Sequence, residues 1–254
     1  MRGRSYLGAM PRILSTGAIF NKVLHPAGQL ARSAAGLFLP LRCAGCDDAL
    51  LAHERSICLK CVEDMPLTRF HNDAENPVER IFWGRLELTS ATAFLHFDKR
   101  GMVQHMLHRL KYKGDREVGL ELGRRMALEL MVSPRFSSVE RIIAVPLHPR
   151  KERQRGYNQS QVLVDGMREA WGATAAGSGL LRVVRTPSQT RKGRLDRWLN
   201  VKDAFDIPHG SDLEGRHVLL VDDVVTTGAT LESCAQALLR IPEVRVSIAT
   251  VAHA

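Results

Sequence analysis

The sequence lacks any apolar run long enough to cross a bilayer. Its nearest candidate, around Ala34–Leu41, is short and broken by Pro40, whereas a spanning helix needs roughly 20 apolar residues. Acidic residues are absent from Met1–Leu30, which carries Arg2, Arg4, Arg12 and Lys22. That basic stretch imitates a leader peptide, but it has no clean apolar core followed by a small-residue cleavage site. It is expected to be a mobile extension over about its first 20 residues, with Met10 as an alternative start. Cysteine is too sparse for a disulfide framework: there are five, four of them in two close pairs, Cys43 with Cys46 and Cys58 with Cys61. Paired CxxC spacing points instead to a metal in a reducing compartment, with the cytoplasm as the expected location. No internal repeat is visible.

Acids are also outnumbered. Lys plus Arg total 36 against 27 Asp plus Glu, a formal charge of +9. Such a balance favours polyanionic partners, whether nucleic acid, anionic lipid or a polyphosphate ligand. A basic surface kept for solubility accounts for the same number. The length of 254 residues suits one full α/β domain plus a small satellite module.

What is present is an alternation of strand-like and helix-like segments. Apolar residues recur at helical intervals over Ile19–Leu39, and Pro40 closes that stretch. Met65–Glu79, rich in Pro, Asn and Asp, reads as a linker. Leu88–Phe97 is then expected as a strand, Val103–Leu110 and Glu117–Met131 as helices, and Arg141–Val145 as a short buried strand stopped by Pro146. Asn158–Trp171 reads as a helix, Leu180–Val184 as a strand, and Ser188–Val201 as a basic stretch without clear periodicity. Val218–Val221 and Val244–Val251 complete the strands, with Leu231, Cys234, Ala235, Leu238 and Leu239 at helical spacing between them. This order predicts an α/β fold with a parallel sheet covered on both faces and ligands at the C-terminal strand ends. The expected division is a basic extension and helix over 1–36, a cysteine module over 37–66, a linker over 67–85 and the α/β domain over 86–254.

The run VLLVDDVVTTGAT from Val218 to Thr230 is the most informative in the chain. A buried strand delivers Asp222 and Asp223 at its C-terminal end, and the turn Thr226, Thr227, Gly228, Ala229, Thr230 opens a helix. A helix N-terminus offers free backbone N–H groups and a dipole that favours an anion. Gly228 lets the backbone approach that anion, and the Thr hydroxyls add donors. The two carboxylates repel phosphate, but they can accept hydrogen bonds from a ribose diol or help hold hydrated Mg²⁺. A sugar bearing a phosphate explains both halves. The plainer reading is a Thr-capped strand–turn–helix with solvated Asp residues.

This run resembles the phosphoribosyl pyrophosphate (PRPP) loop of type I phosphoribosyltransferases. The chain as a whole, from about Leu37, resembles the ComF family, which pairs a zinc module with a phosphoribosyltransferase-like domain. Cys43–Cys46 and Cys58–Cys61 match its first part, Leu110–Asp115 its second, Val145–Pro149 with Arg155–Gln159 its third, and Thr190–Val201 its fourth. The resemblance implies that the segment after Val145 holds pyrophosphate, with Pro146, Leu147, His148, Arg150, Lys151, Arg153 and Arg155 crowding one short loop. It also implies a mobile loop carrying Arg191, Lys192, Arg194 and Arg197. Lys111 and Lys113 are explained about as well by an ordinary exposed face. Tyr112, Tyr157 and Trp198 lie among the cations, where they either stack on unpaired bases or simply pack.

Four thiolates at this spacing suit tetrahedral, structural Zn²⁺, with a redox pair or an iron–sulfur cluster as alternatives, and His53 as a possible substitute ligand. For function the ComF resemblance implies an accessory role in uptake of transforming DNA, with single-stranded DNA and uptake-machinery proteins as partners and PRPP or a ribonucleotide phosphate as ligand. The alternative is an active, Mg²⁺-dependent phosphoribosyltransferase of nucleotide metabolism. No segment of the glutaminase kind and no residue selecting a base is recognisable.

Overall fold

Aliphatic and β-branched runs that avoid water on both faces build the centre of the protein. The computed structural model describes residues 41–171, 180–182, 205–207 and 212–254. Within these, the helices are α1 (Leu59–Glu63), α2 (Pro77–Phe82), α3 (Met102–Tyr112), α4 (Arg116–Met131), α5 (Pro149–Arg155), α6 (Gln159–Trp171) and α7 (Ala229–Leu238). The strands are β1 (Ser90–His96), β2 (Arg141–Ala144), β3 (Leu181–Arg182), β4 (Phe205–Asp206), β5 (His217–Val225) and β6 (Arg245–His253). The order β1-β6-β5-β2 forms a sheet whose pairings are all parallel, and β3 and β4 pair antiparallel beside it. One face is covered by α3, α4 and α6 and the other by α2 and α7, so the strands are largely buried, with Ser90, Thr92, His217, Ser247 and Thr250 as buried polar residues among the apolar ones. The helix expected over Ile19–Leu39, the basic stretch with Arg191, Lys192, Arg194, Arg197 and Trp198, and Val183 and Val184 of the strand expected over Leu180–Val184 lie outside the described residues.

The stretch over 67–85 is not a free connection. Leu67 bridges to Leu95 of β1, and Thr68 N–H donates to the Phe94 carbonyl. Asn76, 4% exposed, caps α2 by accepting from the Val78 and Glu79 N–H groups, and its amide donates to the Ala91 carbonyl. The cysteine module is joined to the sheet domain as well. Cys43, Ala44, Ile57 and Cys61 share one apolar cluster with Val103, Met106 and Leu110 of α3. Arg109 donates to the Arg42 and Cys43 carbonyls.

Two glycines let α4 and α6 touch backbone to backbone, the most extensive helix–helix contact among the described residues. A Cβ at Gly123 would overlap the Leu163 carbonyl, and one at Gly166 would overlap the Leu120 carbonyl. Gly123→Ala or Gly166→Ala is therefore expected to destabilise despite the gain of about 1 kcal/mol in helix propensity. Overpacking against backbone, which cannot rotate away, costs about 1–3 kcal/mol. Urea unfolding checks this: the midpoint should fall with an unchanged slope, and a higher midpoint would mean that the helices simply part.

Candidate functional site

The edges of the sheet explain where its cavity lies. β2 stops at Ala144, opposite Val221, and the Val145 N–H donates to the Val221 carbonyl at 2.9 Å. β5 continues, paired with β6 as far as Val225 opposite His253. The strand expected to end at Val221 thus runs through both carboxylates, and past Val221 its β2-side edge is open. A cavity of about 200 Å³ fills that opening. Asp222 and Asp223 form one wall, Pro146, Leu147, His148, Lys151 and Arg155 another, and Lys111, Gln159, Ser160 and Thr230 complete it.

Asp222 Oδ1 accepts from Ser160 Oγ at 2.8 Å and from the Asp223 N–H at 2.9 Å. Burial, and then the charge of Asp223, push its pKa up to about 7 against the pull of Ser160 and Lys111. Asp223 Oδ2 meets Lys111 Nζ at 3.0 Å. Lys111, which an ordinary exposed face explained as well, is 21% exposed and belongs to the cavity.

The basic segment after β2 is a helix, not a loop. His148 caps α5 by accepting the Arg150 N–H at 3.2 Å, Pro149 opens it, and Gly156 at φ 80 closes it. Helical spacing puts His148, Lys151 and Arg155 on the cavity side and leaves Arg150 and Arg153 off it. Gln159, 1% exposed, accepts from Arg155 at 2.6 Å. Asn158 donates to the Val145 carbonyl at 2.9 Å and so ties the strand exit to α6. Tyr157 does not present a ring for stacking. It is 8% exposed, its hydroxyl donates to the Leu110 carbonyl, and the Arg116 guanidinium lies 4.7 Å from its ring centre. Tyr112 is 61% exposed, with the Arg155 guanidinium 5.4 Å from its ring centre.

Of the expected phosphate turn, Thr230 lines the cavity. Gly228 at φ 75 begins α7 without a side-chain cap, so the first N–H groups of that helix have no side-chain acceptor in the capping position. Thr226, Thr227 and Ala229 are exposed, and the Thr227 carbonyl accepts from Arg85 at 3.3 Å.

Near the amino-terminal side of α3, the thiol sulfurs of Cys43, Cys46, Cys58 and Cys61 all lie within 4.8 Å of one another. Tetrahedral zinc with bonds of about 2.3 Å separates its thiolates by about 3.8 Å, and Cys46 and Cys58 stand 3.7 Å apart. Burial would raise the Cys43 thiol, but backbone N–H groups of Cys58, Cys46 and Gly45 bring it down to about 7. Burial and the three neighbouring thiols push Cys61 up. A divalent cation relieves that repulsion, so the donor set fits a structural zinc site. His53 is not part of this cluster, and it lines a separate cleft with Glu121 and Arg125.

Residues 177–254 match the model of the phosphoribosyl transferase domain. Over 140 residues, 53% of this chain, the sequence is 34% identical to the DNA utilization protein YhgH of Salmonella typhi, a match that spans 60% of that protein's own length. The Escherichia coli protein of the same name is 29% identical over 78% of this chain and 84% of its own. Competence protein ComFC of Bacillus subtilis is 27% identical over 78% of this chain and 77% of its own. The chain resembles the ComF family. As that resemblance implies, a phosphoribosyltransferase-like parallel sheet is joined to a four-cysteine module at its amino-terminal side. Among the described residues no helix is long and apolar enough to cross a membrane.

The sequence reading left Lys111 open, matched Gln159 without giving it a role, and missed Ser160. A signal for Ser160 was at hand, since it directly follows the matched residues around Tyr157.

Proposed function

We propose that this chain is a cytoplasmic accessory factor in DNA uptake whose cavity binds PRPP or a related ribose phosphate. The observation that carries the reading is the make-up of the cavity lining: Asp222 and Asp223 from β5 share it with His148, Lys151 and Arg155 from the segment after β2. Carboxylates suit a ribose diol, whereas guanidinium and ammonium groups suit pyrophosphate. The turn from Thr226 to Thr230 would take the 5-phosphate at the start of α7. Mg²⁺ would arrive on the pyrophosphate as part of the ligand, within reach of the two carboxylates through water. The cysteine centre would hold zinc for folding. The DNA utilization name of one relative and the charge of +9 support DNA as the macromolecular partner, and exposed Tyr112, in place of buried Tyr157, is the stacking surface that would favour a single strand.

Fluorescence anisotropy with a labelled oligonucleotide tests the whole reading when run at two salt concentrations, with PRPP present and absent. Binding should weaken with salt at about −0.7 in log–log slope per phosphate contacted, and a single strand should bind more tightly than a duplex of equal length. Competition by saturating PRPP would mean that the same cations serve both anions. No binding at low salt would end the DNA reading. Release of pyrophosphate from PRPP, Mg²⁺ and one of a panel of bases would establish the second reading, group transfer.

A further inference from the structure

Lys111 occupies a place that the ligand reading needs. Its ammonium lies 3.0 Å from Asp223 Oδ2, with the two side chains only 21% and 15% exposed. Asp223 is the carboxylate assigned above to the sugar, so a diol that bridges both of its oxygens competes at Oδ2 with an ammonium already there. A diol is uncharged. Displacing Lys111 for it would strand a mostly buried cation, and a buried charge that loses its partner is strongly disfavoured. The other cavity cations do not relieve this, because Lys151 and Arg155 have no carboxylate partner among the described residues and repel a further positive charge.

An anionic group placed beside that wall changes the balance. It would meet Lys111, Lys151 and Arg155 together, and give the displaced ammonium a new counter-ion. We infer that Lys111 is a displaceable counter-ion that sets specificity: it closes Asp223 to a ribose whose C1 side is neutral, and releases it to one with an anionic group on C1 as well as on the 5-hydroxyl. The inference rests on the ribose-phosphate reading of the cavity and adds a selection rule to it. A monophosphate bound only at the turn before α7 brings nothing to the Lys111 wall, whereas a diphosphate on C1 does.

Calorimetry with two probes, PRPP and ribose 5-phosphate, separates the cases for wild type, Lys111→Met and Lys111→Arg. Wild type should prefer PRPP. Lys111→Met should shrink that preference at least tenfold, with ribose 5-phosphate bound more tightly than by wild type and PRPP more weakly. Lys111→Arg should restore most of the preference, since it keeps the charge. An unchanged ratio, or equal weakening of both ligands as a merely structural lysine would give, overturns the inference and leaves the ribose reading standing. Wild-type protein that binds neither probe overturns that reading, and the inference with it.

Discussion

Removing the metal, by exhaustive chelation or by Cys61→Ser, is expected to damage more than the 43–65 segment. Cys43 and Cys61 are 1% and 3% exposed, and they pack in the same cluster as Met106 and Leu110 of α3. Structural zinc contributes about 10–16 kcal/mol of apparent folding energy in small modules, so its loss should release the segment outright. The effect should then run along α3, because Arg109 ties that helix to the Arg42 and Cys43 carbonyls and Lys111 sits near its end, against Asp223. We expect one zinc per chain, a large fall in melting temperature on chelation, and weaker PRPP binding by the stripped protein. Had the module been an independent bead, the cavity would survive intact. Metal well below one equivalent, with all four thiols freely titratable, would sink the zinc assignment.

The double exchange Asp222→Ala, Asp223→Ala should weaken PRPP binding at least tenfold. Two charge-assisted hydrogen bonds at roughly 1.5–3 kcal/mol each are lost, and 1.4 kcal/mol is already a factor of ten. Calorimetry on protein shown to be folded decides it, and unchanged affinity would put the sugar elsewhere. The pH profile adds a second readout. Asp222 titrates near 7 in the folded protein, above the ordinary aspartate value of about 3.9. The folded chain therefore holds that proton more tightly than the unfolded chain between pH 4 and 7, roughly, and stability attributable to this group falls as pH rises through that window. Ligand affinity should move the other way, rising through about pH 7 as the carboxylate becomes an acceptor. Asp222→Asn should flatten both slopes.

The strand–turn–helix around Asp222 was legible because its signals are local: four apolar residues, two acids, then Gly228 within a Thr-rich turn. The cysteine centre was legible for the same reason. Lys111 was not, since its partner lies on β5, more than a hundred residues away, and only the fold brings α3 to that strand end. α5 escaped notice because none of its residues is buried, which leaves no apolar period to read. The stretch around Asn76 and Pro77 misled differently. Asn and Pro mark loops, but they also begin helices, and here they begin α2.

The sheet order has a consequence for how the protein comes to be folded. β1 pairs with β6, Ser90 opposite Ser247 and His96 opposite His253, and among the described residues has no other strand beside it in the sheet, only the single bridge from Leu67 to Leu95. A nascent chain can bury α3, α4 and α6 against one another early, but β1 must wait for a partner made roughly 150 residues later. Until then one side of a strand with six buried residues has nothing to pair with, the state in which strands seek partners in other chains. Residues 245–253 act as a closing wedge between two half-sheets, so a chain cut before them would keep much of its helical content and yet expose both β1 and β5 to aggregation.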